Sequence, residues 1–149
     1  MSKAESADLI MKLYELRRED KMRDARNWMA GFFPESAEDI MNAMIDPVSS
    51  AYFRMVTSYW DMAASFVNHG AIDADMFRDT SGEHMIVFAK VEPHLADFRA
   101  AMGNPNYLKN LETVVSQLPD YKELLQARRE MMKRFIDASK QAEAAKAAS

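Results

Sequence analysis

Three histidines and a handful of carboxylates are the residues of this chain with the means to do acid–base chemistry. His69, Glu83 and His84 border one expected turn region, and the helix leading into it carries Asp61. A histidine beside a carboxylate makes a general base near neutral pH. The competing reading assigns the same residues to helix ends. His69 stands before Gly70, where a cation suits the negative end of a helix. Glu83 closes Thr80-Ser81-Gly82-Glu83, a capping-box pattern in which the glutamate satisfies backbone N–H groups. Helix-end service is the stronger expectation for both, and no catalytic residue is assigned.

Other chemistries are removed by what the sequence lacks. It has no cysteine, so disulfides, thiolate metal sites and cysteine nucleophiles are excluded. Di-metal helical bundles use Glu-x-x-His spacing, but Phe66, Ser81 and Val91 stand three residues before His69, His84 and His94. Asp73-Ala74-Asp75-Met76-Phe77-Arg78-Asp79 resembles a calcium loop only in its acids. Phe77 occupies a ligand position and Arg78 replaces the turn glycine, so a capped helical turn is expected. Glycines at 31, 70, 82 and 103 are too sparse for a phosphate-cradling loop. No metal or cofactor is expected.

The elements that would position these residues read as helices throughout. Four glycines and five prolines punctuate the 149 residues into about six helical segments. Ser2-Lys3-Ala4-Glu5 is a capping box that opens a first helix running to about Gly31. Its apolar face swings by roughly a quarter turn between Leu9-Leu13-Leu16 and Ala25-Met29-Phe32, which implies a change of packing partner near Arg17–Lys21. A short helix follows Pro34. Asp46-Pro47 then opens a long central third helix, with Tyr52, Met55, Val56, Tyr59, Trp60, Ala63, Phe66 and Val67 on a wide apolar arc. Glu83 to Gly103 forms the fourth segment, kinked or split by Pro93. Asn104-Pro105 starts the fifth and Pro119-Asp120 the last. The expectation is an all-α, irregular helical bundle over residues 1–138, followed by an Ala/Lys-rich tail at 139–149 with nothing to bury, which should fray.

Charge and hydropathy narrow the function classes. The net charge is −4, and the run from Arg17 to Arg26 mixes both signs, reading as a solvated face; a nucleic-acid partner is not expected. The longest stretch without a charged residue is Met62 to Ile72, well short of the roughly 20 residues that span a bilayer. With no signal-peptide pattern, the expected location is the cytoplasm, away from membranes. Thirteen methionines read chiefly as gap-filling core, and otherwise as an adaptable apolar surface.

The segments Tyr59-Trp60-Asp61-Met62-Ala63-Ala64, Phe66-Val67-Asn68-His69-Gly70-Ala71-Ile72-Asp73 and Met102-Gly103-Asn104-Pro105 resemble a family of small bacterial all-α proteins described as uncharacterised. The resemblance implies a helical cytosolic protein and carries over no activity, cofactor or site residue. The leading expectation for function is a non-enzymatic protein that works through protein–protein contacts, a homodimer being one form. The alternative is a bundle whose internal pocket, lined by Tyr59, Trp60, Phe88 and methionines, holds an apolar or aromatic small molecule.

Overall fold

The computed structural model describes residues 2–149. Among them lie nine α-helices and one 3₁₀ turn, with no strand. The all-α expectation holds; the count of about six does not, because two expected segments are divided and the expected turn at Asp73–Asp79 is a helix of its own, Ala74–Thr80.

The first division is at the point where the apolar face swings. Helix α1 (Lys3–Leu16) begins at the expected capping box: Glu5 N donates to Ser2 Oγ at 3.1 Å and Ser2 N to Glu5 Oε1 at 3.2 Å. It stops at Arg17, and α2 (Asp20–Ala30) starts afresh with Glu19 as its cap, accepting from Met22 N at 3.0 Å. A continuous helix would carry the second stripe away from the core. The break lets Met22, Ala25 and Met29 all become buried. The long helix expected as third is therefore the fourth.

Helix α3 (Ala37–Ile45) leads through Asp46 into α4 (Ser49–Asn68). Asp46 Oδ1 accepts from Val48 N at 2.8 Å and Ser49 N at 2.9 Å, so Asp46 does cap this helix. Phe53, Val56, Trp60, Ala63 and Ala64 of α4 are 0–1% exposed, and the helix packs against α2, α3, α5 (Ala74–Thr80) and α8 (Lys109–Ser116). Alanine at 25, 63 and 64 allows close packing in this core.

The second division is at Pro93. Helix α6 (Glu83–Val91) gives way to a 3₁₀ turn, Glu92–His94, and then to α7 (Leu95–Met102), which Gly103 ends at φ +65°. The proline removes one backbone donor, and the turn absorbs the loss.

Asn104-Pro105 does not start a helix. Asn104 Oδ1 accepts from Asn106 N at 3.1 Å, closing a local turn, and α8 begins only at Lys109. Leu108, just before it, takes a left-handed conformation (φ +56°) while remaining buried. Arg99 holds this corner, donating to Tyr107 O at 2.9 Å and to Glu112. Helix α9 (Tyr121–Ala148) packs on α6 and continues as regular helix through residues 139–148, all of them exposed.

Replacing Asp46 by Ala should lower stability, because the Val48 and Ser49 N–H groups at the start of α4 lose their acceptor. Urea denaturation with an unchanged slope is the measurement.

Candidate functional site

The four polar candidates separate into three environments. His69 ends α4 and is exposed, its Nδ1 lying 2.9 Å from Ser65 O. Gly70, at φ +79°, follows it. Asp61 faces α8. Its Oδ1 accepts from Leu111 N at 3.0 Å and its Oδ2 from Asn110 Nδ2 at 3.2 Å. One free N–H at the start of α8, that of Leu111, is thus satisfied by a carboxylate fifty residues away in the chain, a cap supplied by the tertiary fold.

Glu83 is not a capping glutamate. Thr80 Oγ1 instead donates backward to Met76 O at 2.8 Å, and α6 has no side-chain cap at Gly82. The carboxylate points inward to three helices or their ends. Arg26 of α2 donates through Nε at 3.1 and 3.0 Å and through Nη2 at 2.8 Å. Arg17, at the end of α1, donates through Nη2 at 3.3 Å. Trp60 of α4 donates its indole N–H at 3.1 Å. Arg26 also reaches Arg17 O at 3.4 Å, tying its two neighbours together. The Arg17 guanidinium lies over the Trp60 ring, 5.3 Å from its centroid, a cation–π geometry.

Burial works to raise the Glu83 carboxyl, but hydrogen bonds from Arg26 and Trp60, with the charges of Arg26 and Arg17, hold it below its ordinary value. The carboxylate is fully committed and has no lone pair free to accept a substrate proton. The run from Arg17 to Arg26 is therefore not simply a solvated face. Arg26 lies one turn from Met22 and Met29, on the buried side of α2, and that spacing was the available signal for it.

Around this knot stand the expected aromatic residues. Tyr59 donates its hydroxyl to Leu13 O, and burial pushes the phenol up to about 12. Trp60 meets Tyr59 edge to face at 4.9 Å and Phe77 at 6.3 Å. His84, 2% exposed, sits 4.8 Å from the Phe77 ring, and its Nδ1 has no hydrogen-bond partner. Burial, with Arg78 nearby, lowers its pKa to about 4. His84 and Glu83 are adjacent in sequence but engage different partners, so no histidine–carboxylate pair forms between them. Phe88 lies elsewhere in the core, 1% exposed.

A second charged group is buried without such matching. Lys90 of α6 is 5% exposed and lies in a run, 87–91, that is otherwise apolar and buried. Its ammonium donates to Met29 O and sits 4.5 Å from the Phe33 ring centroid. Burial lowers its pKa to about 8, against the opposing pull of Glu83. Lys90 makes no ion pair among the described residues. Sequence reasoning missed it, although a lysine three residues from Val87 on an apolar arc was the signal.

These features define an all-helical bundle whose interior charges serve mainly to join helices. Residues 3–118 match the family described as Domain of unknown function (DUF4760), and the chain belongs to that family. No curated protein and no solved structure matches it. Helix α9 lies beyond the matched residues. None of the helices, among the described residues, is long and apolar enough to cross a membrane.

His84 makes stability depend on pH. Its folded pKa, about 4, lies below the unfolded value of 6.5, so the unfolded chain binds the proton first as pH falls. The stabilising effect of the neutral ring is complete above 6.5 and declines toward pH 4, by up to about 3 kcal/mol. His84→Phe should flatten that slope in urea titrations across pH 4–7. Glu83→Gln should destabilise the fold by about 2–3 kcal/mol, because two half-buried guanidinium groups lose their counter-charge. The same denaturation assay at pH 7 reads it.

Proposed function

We propose that this chain is a non-catalytic helical interaction protein that self-associates through a methionine-rich groove between α4 and the α1–α2 break. The groove, about 520 Å³, is lined by Leu16, Met22, Met55, Tyr59 and Met62, with Glu19 and Ser58 at its edge. The observation that carries the reading is the exposed apolar register on α4. Met55, Met62 and Phe66 follow one another at seven- and four-residue steps, and Met62 and Phe66 are 39% and 36% exposed. Across the groove, Leu16 is 53% exposed. Such side chains at helical spacing suit the apolar face of another helix, and methionine adapts its shape to the surface it meets.

A second copy of this chain is the occupant that the groove suits best. The stripe is at once a ridge, at Met62 and Phe66, and one wall of a hollow. A two-fold pairing would set the ridge of each protomer into the hollow of the other, the self-complementary arrangement of an isologous dimer. The commitment of Glu83, Asp61 and Tyr59 to bonds within the fold supports placing function on the surface.

The alternative, an apolar small molecule held inside between α4 and α6, has less support. Trp60 and Phe88 are each 1% exposed and packed against neighbours. The hollow that Tyr59 borders is an open groove.

Light scattering across a hundredfold concentration range, with native mass spectrometry, tests the proposal. Wild-type protein should give a dimer at high concentration. Met62→Glu should give a monomer with an unchanged melting temperature, since its side chain is partly solvated already. A wild-type monomer throughout would overturn the self-association reading.

A further inference from the structure

A second hollow lies at the opposite end of α6 from the Glu83 knot. It is a cleft of about 420 Å³ between the loop at Phe33, Pro34 and Glu35, the 3₁₀ turn after α6, and the middle of α9. The apolar part of its lining is Phe33, Pro34, Pro93, Met132 and Ile136. Lys90 lines it, an ammonium with three N–H donors of which the structure engages one, with Met29 O. Arg129, Lys133 and Lys140 also line it, against the acids Glu35 and Asp137. Arg129 is already held by Ala89 O at 2.9 Å and Glu92 at 3.6 Å. Lys133 and Lys140, like Lys90, make no ion pair among the described residues.

A buried cation without a counter-charge costs free energy, and such groups are ordinarily paired or hydrogen-bonded to saturation. Methionine at position 90 would fill nearly the same volume without that cost. The lysine stands at the wall of a cleft that combines hydrocarbon with charged side chains, two of them further unpaired lysines. We infer that this cleft binds a small apolar carboxylic acid as its anion, the carboxylate meeting Lys90 and the hydrocarbon body lying between Phe33, Met132 and Ile136. The carboxylate supplies the missing charge and accepts the donors that Met29 leaves free, in charge-assisted hydrogen bonds. Phe33 holds the ammonium in place through its ring face. The net positive lining, four cations against two acids, draws the anion in.

This cleft is separate from the groove on α4, and its occupancy does not depend on self-association. The test is calorimetric titration of the full chain with sodium octanoate, 1-octanol and sodium acetate. Octanoate should bind at one site, with octanol and acetate each at least about tenfold weaker, since each lacks one half of the recognition. Chemical-shift changes under octanoate should centre on Phe33, Lys90 and Ile136. Lys90→Met should weaken octanoate by at least about tenfold and leave octanol unchanged. Octanol binding as tightly as octanoate, octanoate failing to bind, or Lys90→Met binding it normally would each overturn the inference. If Lys90→Met does not fold, Ile136→Glu on the half-buried α9 wall carries the same test, and undiminished octanoate binding by that variant would overturn it.

Discussion

Glu83 receives N–H donors from Arg17, Arg26 and Trp60, and these four residues belong to four different places in the chain: the end of α1, the middle of α2, the middle of α4 and the start of α6. Replacing a buried ion pair by well-packed hydrocarbon is often neutral or stabilising, so net stability alone is a weak reason for such an arrangement. What the pairing adds is position. Arg17 can reach the carboxylate only if α1 ends at Leu16 and the chain turns. Arg26 reaches it only if α2 restarts in the register that also buries Met22 and Met29. Trp60 brings α4 to the same point, and the Tyr59 bond to Leu13 O secures α1 against the neighbouring face. The break between α1 and α2, the largest departure from a simple bundle, is thus tied to a single acidic side chain.

The same commitment governs what the interior can do. A carboxylate held by two guanidinium groups and an indole N–H is a poor base, and the neighbouring histidine, desolvated among Phe77 and Trp60, favours its neutral form. Asp61 is likewise spent, on the first turn of α8. Polar residues that in another bundle would converge on a cavity act here as joints between helices. Their use inside leaves the outer faces of α4 and α9 as the places where chemistry or contact remains open.

The joints explain which parts of the fold could be read from the amino-acid sequence. Local signals were legible: Ser2 with Glu5, Asp46 before Pro47, the stop at Gly70 and the interruption at Pro93 all act within one helical turn, so spacing alone identifies them. The swing of the apolar face past Arg17 was visible too, though periodicity could not say whether the helix bends or ends there. The failures share one cause. Thr80-Ser81-Gly82-Glu83 has the spacing of a capping box, but a glutamate that meets two arginines and an indole gains more from them than from backbone N–H groups. Asn104-Pro105 has the form of a helix start, yet α8 takes its cap from Asp61 on another helix and begins after a strained Leu108. In each case a partner distant in sequence outbids the local pattern.

The two buried charges of α6 make opposite arguments from similar surroundings. Both lie on one helix, seven residues apart, and burial opposes the charged form of each. At Glu83 the cost of removing a charge from water is met by two guanidinium groups and an indole, all from the fold. At Lys90 the fold supplies only a carbonyl and an aromatic face. Interior packing cannot explain the difference, since the same helix shows how a charge is neutralised when the fold is required to do it. An ammonium left short of a counter-charge beside a partly apolar cleft fits a partner that arrives from outside, bringing the negative charge with it.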